Sequence, residues 1–294
     1  MAFLTILWKS AEDVTKAFSD AGIEYRPLKG IKTKDLYPNK FMRHMSDVDI
    51  LIHEEDYVDK IKPIMLSLGW SEGYESDHEL HWHKSNLTIE LHKRIIPSYN
   101  KDYYNVIGDG WEWFEGHTDC EYNFIHFAKH YRDAGVGIGH LVEMEICRGD
   151  MDLSDIGLEE FKNNINKTLD NWFNGGEPDE KTELITDVIF SSGEYSTEAS
   201  RKSSADIKLV NAAGGSRLIA ALKSKLGMLF LPWYCWKDQF PILNNAPYLL
   251  PVFFVWRIIR TPFRRSAREN LTRKIHLQED YRSKLSAVGL KYDF

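Results

Sequence analysis

The stretch that decides the fold reads Ser46-Asp47-Val48-Asp49-Ile50-Leu51. Residues 47–53 are predicted as a strand because acidic and aliphatic residues alternate over the first four positions, and a period of two is typical of a β-strand. Because successive side chains of a strand point to opposite faces, Asp47 and Asp49 share one face and the aliphatic side chains share the other. The stretch therefore predicts a strand with two carboxylates on a polar face.

A hairpin is predicted further along the chain. The runs 78–83 and 87–93 flank Lys84-Ser85-Asn86, whose composition is typical of a tight turn. On the second of these strands, Glu90 and His92 share one face. The hairpin therefore repeats the pattern of the first strand, with polar side chains on one face and aliphatic side chains on the other.

Glu90 would lie close to Asp47 and Asp49 if the hairpin is adjacent to the strand that carries them. The three carboxylates would then form one cluster, which is costly without a cation because like charges repel. Oxygen ligands of this kind suit Mg²⁺, with Mn²⁺ as the alternative ion. Two such ions can clamp the attacking and leaving oxygens of a phosphoryl transfer. The same acids are also compatible with the solvated face of an edge strand.

The hydrophobic pattern divides the chain into an N-terminal α/β unit and a mostly helical region. Pro97 and several glycines interrupt the pattern between residues 98 and 121, which places the boundary there. We therefore expect an α+β protein with units at 1–110 and 111–294.

Helical periodicity and end signals predict the remaining elements. Ser10-Ala11-Glu12-Asp13 resembles a capping box, so the first helix is expected to begin at Ser10 and to end at Gly22. The other predicted elements are a strand at 23–28, helices at 31–36, 55–68, 122–132, 139–147, 158–172, 181–189, 216–226 and 267–285, and a loop at 191–204.

Length and composition narrow the class of protein. The 294 residues, 43% of them hydrophobic, are enough for a sizeable core. The sequence has no apolar run long enough to predict a transmembrane helix. The first residues lack the features of a secretory signal, so we expect a cytoplasmic protein. Cys120, Cys147 and Cys235 have no close spacing and are predicted to be reduced thiols. A net charge of −7 disfavours extensive nucleic-acid binding, which usually depends on a basic surface.

The C-terminal part combines aromatic and basic residues. Seven basic residues and one acidic residue lie between Arg257 and Lys274, directly after an apolar stretch. Pro247 and Pro251 argue against a regular long helix in that stretch. We expect it to pack onto the N-terminal unit, and a peripheral membrane contact through 246–274 or a grip on an acidic acceptor is the alternative.

Several short motifs occur in an order that resembles a known family. They are Leu28-Lys29-Gly30, Leu36-Tyr37-Pro38, Arg43 followed by Ser46-Asp47-Val48-Asp49, Leu68-Gly69-Trp70 and Ile89-Glu90-Leu91-His92. Over residues 25–95 this order resembles the bacterial uncharacterised nucleotidyltransferase family of the DNA polymerase β-like superfamily. The resemblance implies a small mixed β-sheet backed by helices. It also implies an enzyme that transfers a nucleoside monophosphate from an NTP to an acceptor and releases pyrophosphate.

The resemblance also implies roles for individual residues. Asp47, Asp49 and Glu90 would be the catalytic residues and the ligands of the metal ions. Phosphate contacts are expected from the Lys-Gly turn, from residues that precede the acidic strand, and from one face of the helix 122–132. The residues with this expected role are Lys29, Gly30, Arg43, Ser46, Lys129 and His130. One departure is that superfamily members commonly carry Gly-Ser where this chain has Lys29-Gly30.

Two other functions are compatible with the same residues. The first is a non-catalytic nucleotide-binding or adaptor protein on this fold, which would bind an NTP without turnover. The second is a metal hydrolase, because His81 and His83 share one strand face, and His92 or Glu90 could supply a third ligand to a metal that favours imidazole. For a transferase, the acidic net charge and the resemblance favour a small molecule or a glycan precursor as the acceptor over nucleic acid.

Overall fold

The computed structural model of the protein describes residues 2–98, 100–133, 135–191, 240–244, 246–260 and 283–290. The strands in these residues are β1 (Tyr25–Pro27), β2 (Val48–Ile52), β3 (Ser71–Glu75), β4 (Glu79–Lys84) and β5 (Leu87–His92). They form a five-stranded sheet in the order β1-β2-β5-β4-β3. Strands β2 and β5 are parallel and the other neighbouring pairs are antiparallel, so the sheet is mixed.

Helices lie before, between and after these strands. They are α1 (Ala2–Asp20), α2 (Gly30–Thr33), α3 (Lys62–Ser67), α4 (Lys101–Ile107), α5 (Trp113–Gly116), α6 (Asp119–Asp133), α7 (Ile138–Ile146), α8 (Glu159–Asn174), α9 (Glu180–Ser191) and α10 (Leu250–Arg260). A short π-helix, Tyr57–Ile61, leads into α3. Pro63 lies in the first turn of α3, directly after this π-helix. The predicted α+β fold is confirmed.

The strands that carry the acidic residues form where the sequence predicts them. β2 lies within the alternating stretch, and β4 and β5 form a hairpin whose two-residue turn is Ser85-Asn86. Ser85 has a φ of 56°, the left-handed conformation that two-residue hairpin turns favour. Helices α6, α7, α8 and α9 also lie close to their predicted ranges.

The beginning of the first helix was predicted wrongly. α1 begins at Ala2, so Ser10 lies inside the helix and does not cap it. A stripe of buried side chains with helical spacing runs through this position and outweighs the local capping signal. Its members are Leu4, Leu7, Trp8, Ala11, Val14 and Phe18.

Two further elements differ from the prediction. Strand β3 was not predicted, because its residues are exposed throughout and carry no alternating hydrophobic pattern. Helix α10 is regular, although its prolines were expected to prevent a regular helix. Pro247 lies before this helix and Pro251 lies in its first turn, where proline is tolerated.

One face of the sheet packs against α1 and α3. Val48, Ile50 and Ile89 from this face form a hydrophobic cluster with Phe18 of α1 and Met65 of α3, and all five are buried. Because neighbouring residues of a strand point to opposite faces, the acidic side chains of β2 and β5 lie on the other face.

The acidic face of the sheet is covered by helices from later in the chain. Leu28 and Leu51 on this side belong to a second hydrophobic cluster, which includes Phe124 of α6. Arg26 of β1 donates to Asp119 at the beginning of α6 over 2.9 Å. The polar side chains of the sheet therefore lie between the strands and the helical region, where solvent is limited.

Several predictions concern residues outside the described ranges. These are most of the loop 191–204, the helix 216–226, Cys235 and most of the helix 267–285. The stretch 246–274 is described only as far as residue 260. Within the described residues, no helix has the length and hydrophobicity required to span a membrane.

Candidate active site

Strands β2 and β5 bring two carboxylates face to face. In their parallel register, Asp49 lies directly opposite Glu90. One ligand atom each of Asp49, Glu90 and His92 lie within 4.8 Å of one another. The hairpin is therefore adjacent to the acidic strand, and Glu90 shares the polar face with Asp49.

Two basic side chains hold Asp49. Nζ of Lys29 donates to Oδ1 of Asp49 over 2.7 Å, and Nε2 of His92 lies 2.9 Å from the same oxygen. Asp49 is 5% exposed and His92 is 1% exposed. Burial alone would raise the pKa of Asp49, but Lys29 and His92 hold it well below its usual range. Asp49 is therefore a buried anion with two basic partners.

The same contacts favour the protonated forms of the two basic partners. Burial alone would lower the pKa of Lys29, but the facing carboxylate of Asp49 holds it above its usual value. Burial also acts to lower the pKa of His92, and hydrogen bonds with Asp49 and Glu90 outweigh it, so the pKa is raised. Positive and negative side chains thus alternate within a small buried volume.

Asp47 lies one residue before β2 and interacts with the same carboxylates. Burial, followed by repulsion from Asp49 and Glu90, raises the pKa of Asp47 to about 6. The exposed Ser46 hydrogen-bonds to the side chain of Asp47. Asp47 is therefore near enough to interact with the other two carboxylates and lies nearer to solvent than Asp49. Among the described residues, however, it does not belong to the group in which ligand atoms of Asp49, Glu90 and His92 lie within 4.8 Å of one another.

The Lys29-Gly30 turn directs Lys29 at Asp49. The backbone N–H of Leu28 donates to the carbonyl of Asp49 over 2.9 Å, which fixes the turn against β2. Lys29 has a φ of 49° and a ψ of −131°, a conformation uncommon for a residue with a Cβ. A Cβ on Gly30 would lie 3.0 Å from Cγ of Met45, so the turn is packed closely against the segment that enters β2. Such strain is retained only where the surrounding structure enforces it.

A cavity of about 60 Å³ opens beside this turn, between it and helices α6 and α7. Charged and imidazole side chains from both sides form much of its wall, namely Lys29, Arg43, His126, His140 and Glu143. Burial, followed by Arg43, lowers the pKa of His140 to about 4. Burial, followed by Lys29, lowers the pKa of His126 well below its usual value. Both imidazoles are therefore neutral near pH 7.

Arg43 is engaged by a carboxylate of the helical region. Its Nε and Nη2 donate to the two oxygens of Glu143 on α7, over 3.0 and 2.8 Å. Thr33 of α2 donates to Oε1 of the same Glu143 over 3.0 Å. Arg43 thus forms a bidentate ion pair that joins the two parts of the chain at the wall of the cavity. The sequence assigned no role to Glu143, because no local motif connects it with Arg43.

Lys129 and His130 lie on α6, next to the imidazoles of the site. Nε2 of His130 lies 3.0 Å from Nε2 of His126, which lines the cavity. Lys129 interacts electrostatically with His78 and His126. The described wall of the cavity contains His126 but neither Lys129 nor His130. These two predicted residues therefore do not line the described cavity.

Tyr122 of α6 faces the carboxylates from the helical side, and the sequence did not single it out. Its side chain is fully buried, and its hydroxyl has no hydrogen-bond partner among the described residues. Burial raises the pKa of Tyr122, and the charges of Asp49, Glu79 and Glu90 contribute to the same rise. The hydroxyl is therefore a protonated donor beside an acidic site. Buried tyrosine hydroxyls normally have a partner, so this one is suited to a bound group.

The histidines of the hairpin do not form the ligand pair that the hydrolase alternative requires. Nε2 of His81 lies 3.5 Å from Oε1 of Glu90. His83 is exposed, and its Nδ1 lies 3.2 Å from the hydroxyl of Thr88. In the part of the chain that the structure describes, the groups of side chains close enough to hold a metal do not include His83.

The donor set of the site fits a divalent cation. Asp47, Asp49 and Glu90 supply the carboxylate oxygens that Mg²⁺ prefers. His92 holds Asp49 and Glu90 from behind, as an outer partner of ligating carboxylates usually does. The unpartnered hydroxyl of Tyr122 is a donor that a metal-bound water or a phosphate oxygen could accept.

Residues 5–148 match the model of a protein family described as "Uncharacterised nucleotidyltransferase". The matched range contains the whole sheet and helices α6 and α7, and with them all the residues of the site. No curated protein and no solved structure matches the chain. The match supports nucleotidyl transfer as the general class of reaction.

Proposed function

We propose that this chain, which belongs to the uncharacterised nucleotidyltransferase family over residues 5–148, transfers a nucleoside monophosphate from an NTP to a hydroxyl acceptor and releases pyrophosphate. The observation that carries the proposal is the register of β2 and β5, which sets Asp49 opposite Glu90 with Asp47 at the entrance to β2. Transfer of this kind depends on positioning and charge neutralisation more than on a reactive side chain. A buried site of three carboxylates with basic residues around it suits those requirements.

Asp47, Asp49 and Glu90 are the residues that would hold Mg²⁺, or Mn²⁺ in its place. When bound, the ions would offset the charge of the phosphates and of the attacking and leaving oxygens. His92 keeps Asp49 in position through the contact at 2.9 Å. Tyr122 would donate its hydroxyl to an oxygen of the bound substrate or of ordered water.

Lys29 and its turn are proposed to bind the phosphates. Nζ of Lys29 lies at the junction of the carboxylates and the cavity, so the ammonium can exchange Asp49 for a phosphate oxygen with a small movement. Gly30 lets the turn pack closely against Met45 and Arg43, which positions Lys29, and the exposed Ser46 lies near the entrance of β2. Arg43 is paired with Glu143 at the cavity wall, so it would bind a phosphate by exchanging part of that ion pair.

The helical region is proposed to complete the cleft. Helices α6 and α7 supply His126, His140 and Glu143 to the cavity that Lys29 enters from the sheet side. Lys129 and His130, which do not line the cavity, would add positive potential through their electrostatic interaction with His126. This arrangement supports a division into a core at 1–110 and a helical unit at 111–294 that share one site.

The acceptor is proposed to be a small molecule or a glycan precursor, in the cytoplasm where NTPs and Mg²⁺ are available. The net charge of −7 gives no general attraction for a nucleic-acid backbone. The basic segment that follows α10 in the sequence, up to residue 274, is proposed to meet either a membrane surface or the acceptor, and the side chains of Val252 and Trp256 on α10 are exposed.

Pyrophosphate release tests the proposed function. Each of the four NTPs is incubated with the protein, Mg²⁺ and a deproteinised metabolite extract as the source of acceptors. We expect release by the wild-type chain that requires Mg²⁺ and is lost in Asp49→Asn. The exposed Asp13→Asn on α1 serves as the matched control and should retain the activity. If the wild-type chain binds NTP but releases no pyrophosphate with any extract, the non-catalytic nucleotide-binding protein is the correct alternative.

A further inference from the structure

Strand β4 adds two metal-ligand side chains to the acidic face of the sheet. In the antiparallel register of β4 and β5, His81 lies opposite Glu90, and Glu79 lies opposite His92. Nε2 of His81 lies 3.2 Å from Oε1 of Glu79 and 3.5 Å from Oε1 of Glu90. One ligand atom from each of the three residues lies within 4.8 Å of the other two. Three potential ligands thus converge on one point, next to the site already described.

Glu90 lies between this group and the first. Its Oε1 faces His81, whereas its Oε2 lies 3.7 Å from Nε2 of His92 on the side of Asp49. A carboxylate that presents one oxygen to each of two groups can serve two cations at once. The two groups therefore share a ligand without competing for the same oxygen.

The second group is more accessible than the first. The side chains of Glu79, His81 and Glu90 are 20%, 23% and 14% exposed, compared with 7% for Asp49. A cation can therefore reach the second group directly from solvent and can keep water as its remaining ligands. Lys29 contacts Asp49 of the first group, so a cation can bind the second group without displacing Lys29.

Outer contacts orient this group as they do in metal sites. Nε2 of His78 lies 3.1 Å from Oε2 of Glu79, which leaves Oε1 of Glu79 directed at His81. Nδ1 of the same His78 lies 3.2 Å from the hydroxyl of Ser76. Ligating carboxylates are usually held in this way by a hydrogen-bonded outer partner.

Tyr122, which also interacts with Asp49 of the first site, provides a further observation that points to a bound group. Its side chain is fully buried, and its hydroxyl has no hydrogen-bond partner within the described ranges. The hydroxyl interacts electrostatically with both Glu79 and Glu90. A buried donor without a partner beside two carboxylates fits a water that is held by a cation.

We propose that Glu79, His81 and Glu90 bind a divalent transition metal of the Zn²⁺ type, at a second cation site that shares Glu90 with the first. One imidazole and two carboxylates suit a borderline metal better than they suit Mg²⁺, which prefers oxygen ligands alone. The site goes beyond nucleotidyl transfer and does not require that reaction. The competing explanation is that the contacts of His81 with Glu79 and Glu90 hold the three side chains together without a metal.

Zn²⁺ binding by the full chain tests this site. The protein is prepared without a polyhistidine tag and stripped with a chelator, and Zn²⁺ affinity is measured by competition with a chromophoric chelator. Co²⁺ absorption reports in parallel whether nitrogen and oxygen ligands surround the ion. The variants are His81→Gln and Glu79→Gln, with His83→Gln as the matched control, because His83 lies on the same strand face but outside the group.

The expected result is tight Zn²⁺ binding by the wild-type chain and by His83→Gln. His81→Gln and Glu79→Gln should each weaken it by more than the roughly 10–100-fold that loss of an outer partner costs. Asp49→Asn should retain it, which separates this site from the proposed transferase site. The proposal is overturned if the wild-type chain binds no Zn²⁺, if His81→Gln binds as tightly as the wild type, or if His83→Gln loses as much affinity as His81→Gln. Circular dichroism checks folding, and Glu79→Gln decides the matter if His81→Gln does not fold.

Discussion

Nζ of Lys29 lies 2.7 Å from Oδ1 of Asp49, with the two side chains 16% and 7% exposed. This ammonium is an internal counter-ion for a carboxylate that we assign to the metal. A cation that binds Asp49 replaces part of the attraction that holds Lys29 there. In the proposed mechanism, metal binding and release of Lys29 toward the substrate phosphates would therefore be linked through this one oxygen atom.

Lys29→Met should reveal this linkage in the stability of the protein. Removal of one partner of a buried ion pair leaves the other charge uncompensated, so the metal-free variant should lose about 3 kcal/mol of unfolding free energy. Mg²⁺ should then raise the melting temperature of Lys29→Met by more than it raises that of the wild type. Thermal unfolding with and without Mg²⁺ measures both effects. Lys16→Met, on the exposed face of α1, is the control, and equal Mg²⁺ shifts in Lys29→Met and wild type would contradict the linkage.

Tyr122→Phe should separate stability from activity. The hydroxyl of Tyr122 has no hydrogen bond to lose among the described residues, so the free energy of unfolding should stay within about 0.5 kcal/mol of the wild type or rise. Pyrophosphate release should nevertheless fall by about tenfold, because a donor to the bound substrate or its water is removed. Urea unfolding and steady-state kinetics measure the two quantities. A large loss of stability with unchanged activity would show a purely structural role.

Local pattern was sufficient to predict the acidic strands. The period of two in residues 47–53 and 87–93 sets which side chains face the helices, and Ser85-Asn86 sets the register of the hairpin. The sequence alone did not predict that Glu90 lies beside Asp49, because no local pattern specifies a parallel partner for β2. The family resemblance supplied that link.

Contacts between distant segments were not predictable from the sequence. Glu143 forms an ion pair with Arg43, which lies 100 positions earlier in the sequence, and no motif around either residue predicts its partner. Tyr122 lies on a helix in which most side chains are buried, so nothing in the pattern marks its hydroxyl as unpartnered. These contacts depend on how the helical region docks on the sheet, which is decided by packing.

The ion pair between Arg43 and Glu143 should couple the two parts of the chain energetically. A double-mutant cycle with Arg43→Gln and Glu143→Gln measures this coupling through urea unfolding. We expect a coupling energy of about 2 kcal/mol, because the ion pair is bidentate and mostly buried. Additive effects of the two substitutions would mean that the pair does not hold the helices to the sheet.

His140 should make stability depend on pH between about 4 and 6.5. Its folded pKa of about 4 is below the unfolded value of 6.5, so the unfolded chain binds the proton first as pH falls. The stabilisation that this difference in pKa gives to the folded state is fully present above pH 6.5. It decreases toward pH 4, by about 1.4 kcal/mol per pH unit at most. His140→Gln should therefore show a smaller decrease in unfolding free energy over this window. Identical pH profiles of the two proteins would contradict the assignment.

The fate of the phosphorus atoms of the NTP tests the central claim most directly. The protein is incubated with Mg²⁺, metabolite extract and an NTP that carries ³²P at either the α or the γ position. We predict that the α label leaves the NTP as a nucleoside monophosphate joined to an acceptor, that the γ label appears only in pyrophosphate, and that Asp49→Asn abolishes both products. Appearance of the γ label as free phosphate together with a nucleoside diphosphate, or full activity of Asp49→Asn, would contradict nucleotidyl transfer at Asp47, Asp49 and Glu90.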